Sequence, residues 1–128
     1  MTLKKKQILV AEDNSILAME LKDTLQSFGY RVPVTASTAE EAVGMAKKQK
    51  PDLILMDINL KGGIDGIEVA GLIRDFLKVP IVFLSGYTDT RTRTKADRTH
   101  PFQFITKPFD VKELQSVLKN ALKKSCRV

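Results

Sequence analysis

The segment Leu53-Ile54-Leu55-Met56-Asp57 decides how this chain folds. It is an unbroken apolar run that ends in a carboxylate, and such runs are typical of strands buried on both faces of a parallel sheet. Residues 8–11 (ILVA) and 81–84 (IVFL) form two more unbroken runs. Helix-like stretches separate the runs, and this alternation favours parallel strands joined by crossover helices.

Two weaker strands are predicted at residues 32–36 and 102–106. The first contains Pro33, which cannot donate a hydrogen bond to a sheet, and polar residues interrupt the second. Both strands are therefore expected at the sheet edges. Right-handed crossovers then favour the order 2-1-3-4-5 for strands numbered along the chain. The predicted fold is an α/β, doubly wound five-stranded parallel sheet, a flavodoxin-like sandwich of three layers.

The predicted helices, with one exception, carry a single apolar stripe that suits packing on a sheet. These stripes occupy residues 17–28, 39–46, 67–77 and 111–122. Gly29 is predicted to end the first helix. Ser37 or Thr38 is predicted to cap the second helix, and Asp110 the last. The exception is residues 88–99 (TDTRTRTKADRT), whose threonines and charges predict only a short, mobile helix.

The length of 128 residues predicts one domain over residues 1–128, with a core at about residues 7–124. A hydrophobic content of 43% excludes a disordered chain. No apolar run is long enough for a membrane span or a signal peptide, so we expect a cytoplasmic protein without membrane insertion. The single cysteine, Cys126, permits neither an intramolecular disulfide nor a cysteine-based zinc site.

The formal charge of +6, taken alone, would favour an anionic partner such as nucleic acid. However, no aromatic residues alternate with the basic clusters at residues 4–6 and 91–98, and no helix-turn-helix pattern accompanies them. We therefore expect these clusters to be solvated and predict no direct nucleic-acid binding. The alternative for residues 91–98 is docking of an acidic surface of a partner protein.

Acidic residues end two of the central predicted strands. Glu12 and Asp13 follow the first strand, and Asp57 follows the third. A doubly wound sheet binds its ligand beyond the carboxyl ends of the strands where the strand order reverses, which is between these two strands. Three carboxylates in one crevice repel one another unless a cation neutralises them. Because the crevice has oxygen donors and no histidine, the sequence predicts a Mg²⁺ site.

Two more polar groups are predicted at the same edge of the sheet. Ser85 follows the fourth predicted strand, and Lys107 follows the fifth. A hydroxyl group and an ammonium group are the kinds of group that hold a phosphoryl oxygen. The pattern therefore indicates phosphate chemistry beside a magnesium ion.

These five polar residues, together with Pro108 after Lys107, closely resemble the response-regulator receiver domain of two-component signalling. The resemblance extends from about residue 7 to residue 124. It implies a phosphoryl-accepting switch rather than an enzyme. It also implies a sensor histidine kinase or histidine phosphotransfer protein as phosphoryl donor, and a downstream effector domain or protein as the partner that reads the switch.

The resemblance implies a role for each side chain. Asp57 would accept the phosphoryl group, and Lys107 would pair with Asp57 before transfer and with the phosphate afterwards. The bond between Lys107 and Pro108 would be cis. Ser85 would turn to hydrogen-bond the phosphate, and Phe104 would then turn inward as the switch aromatic.

The resemblance further implies the metal ligands and the output surface. The ligands would be Asp13, Asp57, the backbone carbonyl of Asn59 and, through a water, Glu12. Gly86 and Tyr87 lie where receivers control access to the phosphate. The output surface would combine the predicted helix at residues 88–99 with the fifth strand and the last helix. The loop at residues 58–66 departs from the commonest receiver form, because it is one residue longer, has two adjacent glycines and lacks a proline.

Three alternatives stand beside this prediction. A magnesium-dependent phosphohydrolase also uses an aspartate nucleophile, but it places that residue after the first strand with a second aspartate two residues on, where this chain has Ser15. A degenerate receiver would bind partners without phosphate, although the intact site residues argue against it. Residues 12–14 would, in the simplest case, only cap the first helix.

Overall fold

The computed structural model describes residues 5–58, 60, 66–86 and 103–125. Within these ranges the chain forms one parallel five-stranded sheet in the order β2-β1-β3-β4-β5, as predicted. The strands are β1 (Ile8–Ala11), β2 (Thr35–Ala36), β3 (Leu53–Asp57), β4 (Ile81–Gly86) and β5 (Gln103–Lys107). The helices are α1 (Ser15–Ser27), α2 (Ala39–Gln49), α3 (Gly66–Arg74) and α4 (Val111–Ser125). The predicted helix at residues 88–99 lies outside the described residues.

Both faces of the sheet are covered, because alternate side chains of each inner strand point to opposite faces. Leu9 and Ile54 belong to a buried cluster with residues of α2 and α3. Val10 and Leu55 belong to a second buried cluster with residues of α1 and α4. A strand covered on both faces has no solvated side, which explains why the central strands read as unbroken apolar runs.

The predicted helix ends are confirmed by their hydrogen bonds. The Thr38 hydroxyl accepts from the Glu41 N–H at 3.2 Å and caps α2. The Asp110 carboxylate accepts from the Glu113 N–H at 2.9 Å, at the start of α4. Gly29, just after α1, has a φ of 98°, a left-handed conformation that glycine adopts without steric cost.

Some predicted boundaries were wrong. β2 is limited to Thr35–Ala36 instead of residues 32–36, because Pro33 has no N–H for the ladder. The helix predicted to reach Leu77 ends at Arg74, and the Lys78 ammonium donates to the Arg74 carbonyl at 2.8 Å. In contrast, β3, β4 and β5 each extend past the predicted end. Among the described residues, no helix has both the length and the apolar character needed to cross a membrane.

Candidate functional site

Three carboxylates meet at the carboxyl ends of β1 and β3. These strands pair in register from Ile8 opposite Leu53 to Ala11 opposite Met56, so the residues that follow Ala11 lie beside Asp57. Glu12, Asp13 and Asp57 each place a carboxylate oxygen within 4.8 Å of the others. Glu12 is 1% exposed and Asp57 is 3% exposed, while Asp13 is half-buried. The predicted acidic cluster is therefore present, and most of it is shielded from water.

Asn14, rather than either neighbouring acid, caps α1. Its side-chain oxygen accepts from the N–H groups of Ile16 at 3.0 Å and Leu17 at 3.1 Å. The Asn14 N–H in turn donates to Glu12 at 3.1 Å, which helps to fix the Glu12 carboxylate. Because Asn14 satisfies the helix end, the alternative that residues 12–14 serve only as a cap does not account for the two acids.

Lys107 connects two of the carboxylates. Its ammonium nitrogen lies 2.9 Å from Glu12 Oε1 and 3.1 Å from Asp57 Oδ2. The bond between Lys107 and Pro108 is cis, as predicted. Lys107 is the last residue of β5, so the outermost strand on this side of the sheet brings its ammonium group to the central acids.

The charges of the cluster are not balanced. Burial raises the pKa of Glu12 to about 7. Contact with Lys107 lowers this pKa and so opposes the effect of burial, whereas the neighbouring Asp57 raises it further. Burial acts to lower the pKa of Lys107, but its contacts with Glu12 and Asp57 outweigh burial and raise the pKa. The cluster thus combines three carboxyl groups with one ammonium group that contacts two of them, and a further cation would relieve the repulsion among the carboxyl groups.

These residues fit a magnesium ion. Apart from its ion pair with Lys107, the buried Glu12 Oε1 atom has no partner among the described residues. The donors in the cluster are all carboxylate oxygens, which Mg²⁺ prefers over nitrogen or sulfur ligands. Asp13 and Asp57 are the side chains that would bind the ion directly, and Glu12 would bind it through a water molecule.

Ser85 and Phe104 lie on the neighbouring strands. Ser85 is fully buried near the end of β4, opposite Thr106 on β5. Phe104 is half-buried, and its ring stacks on the ring of Phe83 with centroids 5.8 Å apart. Gly86 ends β4 opposite Lys107. The sheet therefore places a buried hydroxyl on β4, the strand beside Asp57, and the predicted switch aromatic on β5, the next strand outward.

Other predicted site features lie beyond what the structure describes. Asn59 and Tyr87 are outside the described residues, so the backbone metal ligand and the control of phosphate access stay predictions. The same holds for the 88–99 part of the output surface. The roles given to Asp57, Lys107 and Ser85 also stay predictions, although their positions at one edge of the sheet are those the sequence indicated.

Gly66 is a site residue that the sequence did not single out. It is the first residue of α3, and its N–H donates to the Ile58 carbonyl at 2.6 Å. A Cβ at this position would overlap the carbonyl oxygen of Asp57 and lie 2.9 Å from the Ile58 Cα. The missing side chain therefore lets α3 rest directly on the backbone that carries Asp57.

A doubly wound sheet that joins an acidic cluster, a buried serine and a lysine at its switch point defines a phosphoacceptor signalling domain. The family model described as response regulator receiver domain matches residues 8–119, and the chain belongs to this family. The receiver fold and the two-component assignment predicted from the sequence are thereby confirmed.

Known relatives and solved structures agree with this assignment. The chain is 33% identical to the transcriptional regulatory protein YvrH of Bacillus subtilis over 92% of its length and 49% of YvrH. It is 30% identical to the transcriptional regulatory protein PdtaR of Mycobacterium tuberculosis, over 91% of this chain and 57% of PdtaR. The chain thus spans about half the length of the curated relatives it matches.

Among solved structures, the signal receiver domain of a modulated diguanylate cyclase from Desulfovibrio desulfuricans is similar to this chain, with 33% identity and a TM-score of 0.88. The match covers 95% of this chain and 97% of that domain. A receiver domain protein from Methanospirillum hungatei, at 23% identity, has the same fold with a TM-score of 0.88.

Proposed function

We propose that this receiver domain accepts a phosphoryl group on Asp57 in a reaction that depends on Mg²⁺, and that the phosphoryl group switches partner binding. The observation that carries the proposal is the contact of Lys107 with both Glu12 and Asp57. It places a buried nucleophile, a metal-binding cluster and a cation for the phosphoryl oxygens in one crevice. We expect the domain to transfer a phosphoryl group only to its own Asp57 and then to lose that group to water. We therefore propose a phosphoacceptor and not an enzyme that acts on an external substrate.

The transfer step needs few protein groups. A carboxylate oxygen of Asp57 attacks the phosphorus atom of a phosphohistidine, an O–P bond forms as the N–P bond breaks, and the imidazole leaves with the bonding electron pair. Lys107, 3.1 Å from Asp57, stabilises the negative charge on the phosphoryl oxygens. Mg²⁺, when bound, supplies positive charge that offsets the repulsion between the carboxylates and the phosphoryl group.

The switch step uses the pairing of β4 and β5. Phosphorylation adds about −1.5 to −2 charges at Asp57, which attracts the Ser85 hydroxyl and the Lys107 ammonium toward the new oxygens. Ser85 lies opposite Thr106, and Phe83 lies opposite Phe104, on the same strand pair. Movement of Ser85 therefore reaches Phe104 through two adjacent strands, and a downstream effector domain or protein reads the altered surface.

Apolar surface beside the site fits a protein phosphoryl donor. Ile16 and Met19 on α1 are 77% and 66% exposed, and Val111 on α4 is 50% exposed. Ile16 and Val111 line a cavity of about 550 Å³ whose wall includes Lys107. A sensor histidine kinase or a histidine phosphotransfer protein would cover this apolar surface while its phosphohistidine reaches Asp57.

Mutation of this apolar surface should slow phosphoryl transfer from a protein donor but not from a small-molecule donor. We expect the Ile16→Ser/Met19→Ser variant to accept a phosphoryl group from a phosphorylated histidine kinase about tenfold more slowly, since a buried anchor contributes more than about 1 kcal/mol to an interface. Phosphorylation by acetyl phosphate should be unchanged, because that donor needs no protein surface. The measurement is the initial rate of phosphoryl transfer from each donor.

The matched control for this prediction is Leu72→Ser, which removes an exposed apolar side chain from α3. It should leave both rates unchanged. Equal slowing with both donors by the Ile16→Ser/Met19→Ser variant would show a damaged site and would contradict the assigned surface.

The proposed function is tested by incubating the chain with acetyl phosphate in the presence of Mg²⁺ and in the presence of a chelator. We expect the intact mass to increase by one phosphoryl group only with Mg²⁺. Reduction with borohydride, which cleaves an acyl phosphate, should mark the peptide that contains Asp57. Uptake that is independent of Mg²⁺, or no uptake at all, would exclude the proposed switch.

The alternative phosphohydrolase has no support in the site. Ser15, two residues after Asp13, begins α1 and offers no second carboxylate. Continuous release of phosphate from varied phosphate esters would be the result that favours a hydrolase. The cytoplasmic location expected from the sequence stays a prediction.

A further inference from the structure

A second charged site lies at the amino ends of β1 and β3, roughly 16 Å along β1 from the carboxylates of the phosphoacceptor site. It is a cleft of about 190 Å³, called here the basic cleft. The charged side chains that line it are Lys5, Lys6, Arg31, Lys50 and Asp52. Four cations therefore face a single carboxylate.

Backbone hydrogen bonds from three separate segments build the basic cleft. The Arg31 N–H donates to the Lys6 carbonyl at 2.9 Å, which joins the segment before β2 to the segment before β1. The Asp52 N–H donates to the Gln7 carbonyl at 2.8 Å, and the Asp52 carboxylate accepts from the Gln7 N–H at 2.8 Å. The cations are therefore attached to a fixed framework, and the one acid in the cleft is already engaged with the backbone.

Much of the positive charge in the basic cleft is not neutralised. In residues 5–58, 60, 66–86 and 103–125, the side chains of Lys5, Arg31 and Lys50 make no ion pair, and all three residues are exposed. Like charges that line one cleft repel one another, most strongly at low salt. An anion bound between them would relieve that repulsion.

An aromatic side chain adjoins these cations. Lys5 and Arg31 also line a neighbouring cleft of about 300 Å³, together with Tyr30 and Pro33. The Tyr30 ring is half-buried and is held edge-on against Phe28, with centroids 6.4 Å apart. A polar, cationic cleft thus continues into one with an aromatic ring, and the ring is fixed in place.

We propose that these two adjoining clefts bind a single strand of nucleic acid, with a phosphate between Lys5, Arg31 and Lys50 and a base against Tyr30. Cations that track the backbone, combined with aromatic rings for the bases, are the elements of single-strand binding sites. A membrane surface fits less well. The large apolar side chains that are most exposed in the described part of the chain line neither cleft, so none is available there to enter a bilayer.

This proposal revises the expectation of no direct nucleic-acid binding. That expectation came from the absence of aromatic residues between clustered cations along the sequence. The fold instead assembles the site from residues 5–7, 26, 30–33 and 49–52, so no single stretch of sequence shows it. The proposal does not depend on phosphoryl transfer at Asp57.

The test is fluorescence anisotropy with a labelled single-stranded RNA or DNA oligonucleotide at several salt concentrations. The variant Arg31→Glu/Lys50→Glu should bind at least about tenfold more weakly at low salt. The slope of log K against log salt should decrease in magnitude by about 0.7, which corresponds to the loss of the one phosphate held between Lys5, Arg31 and Lys50. Tyr30→Leu should weaken binding of the oligonucleotide but not of a matching strand without bases.

The matched control is Lys112→Glu/Lys119→Glu, which makes the same charge change at exposed positions on α4. It should retain nearly all binding, and both double variants should keep Mg²⁺-dependent phosphorylation by acetyl phosphate, which serves as the test of folding. Equal weakening by the two double variants would show a general effect of net charge and would overturn the proposal. Binding to vesicles of anionic lipid or to polyglutamate, without binding to oligonucleotides, would also overturn it.

Discussion

Replacing Asp57 with asparagine is expected to abolish phosphoryl uptake. An amide lacks the negative charge and the nucleophilic oxygen that attack phosphorus, so no acyl phosphate forms. The substitution keeps the size of the side chain, and Lys107 retains its ion pair with Glu12, 2.9 Å away. The fold should therefore persist. The measurement is the intact mass of Asp57→Asn after incubation with Mg²⁺ and acetyl phosphate, compared with the unmodified chain.

Asp52→Asn is the matched control for Asp57→Asn. It makes the same chemical change at a residue that precedes β3 instead of ending it. Because Asp52 lies at the opposite end of the sheet, phosphoryl uptake should continue at the normal rate. Full uptake by Asp57→Asn would show that a different residue, such as Asp13, is the acceptor, and the assignment of Asp57 would then be wrong.

The largest effect on stability is expected from Gly66→Val. A Cβ at position 66 would overlap the Asp57 carbonyl oxygen, and the atoms it meets are backbone atoms of Asp57 and Ile58. Backbone at the end of a buried central strand cannot move aside as a flexible side chain can. We therefore expect the free energy of unfolding to fall by about 3 kcal/mol or more, above the usual cost of overpacking. Urea denaturation followed by circular dichroism measures this change.

Gly71→Ala tests whether the effect at Gly66 comes from the steric contact or from the loss of a glycine in α3. A Cβ at Gly71 would have no atom within 4 Å outside its own helix backbone and neighbours. Alanine there should raise the free energy of unfolding by about 0.5–1 kcal/mol, because alanine favours the helix. Similar stability of Gly66→Val and the unmodified chain would contradict the close packing of α3 against Asp57.

The arrangement of the strands could be predicted from the sequence because each strand carries its own signal. The apolar runs of β1, β3 and β4 mark them as central, and Pro33 marks the strand beside it as an edge. Once the strand order is known, Glu12, Asp13 and Asp57 must converge, since the carboxyl ends of neighbouring parallel strands share one edge. The acidic cluster thus follows from local patterns combined with one topological rule.

Features that depend on contacts between distant segments could not be predicted in this way. Gly66 meets Asp57 because α3 begins directly above the end of β3, and nothing in the residues around Gly66 reports that contact. The three segments of the basic cleft are likewise distant in sequence. The ends of three strands were also misplaced. Asp57, Ser85 and Lys107 have polar side chains that do not indicate a strand, yet their backbones pair with a neighbouring strand and lie within β3, β4 and β5.

The crossover helices run antiparallel to the strands, and in α2 this separates acidic from basic side chains along the strand direction. In α2, Glu40 and Glu41 lie in the first turn, and Lys47 and Lys48 lie in the last. The acidic cluster lies at the same end of the sheet as the first turn, and the basic cleft lies at the other end. Together, these groups of side chains form an electric dipole along the strands. An approaching charged molecule therefore exerts a torque that orients the domain before contact, and this orientation weakens as ionic strength rises.

Phosphorylation would increase that dipole, because it adds negative charge at the acidic end. The modification would therefore alter how the domain meets its partners at distances where no side chain touches them.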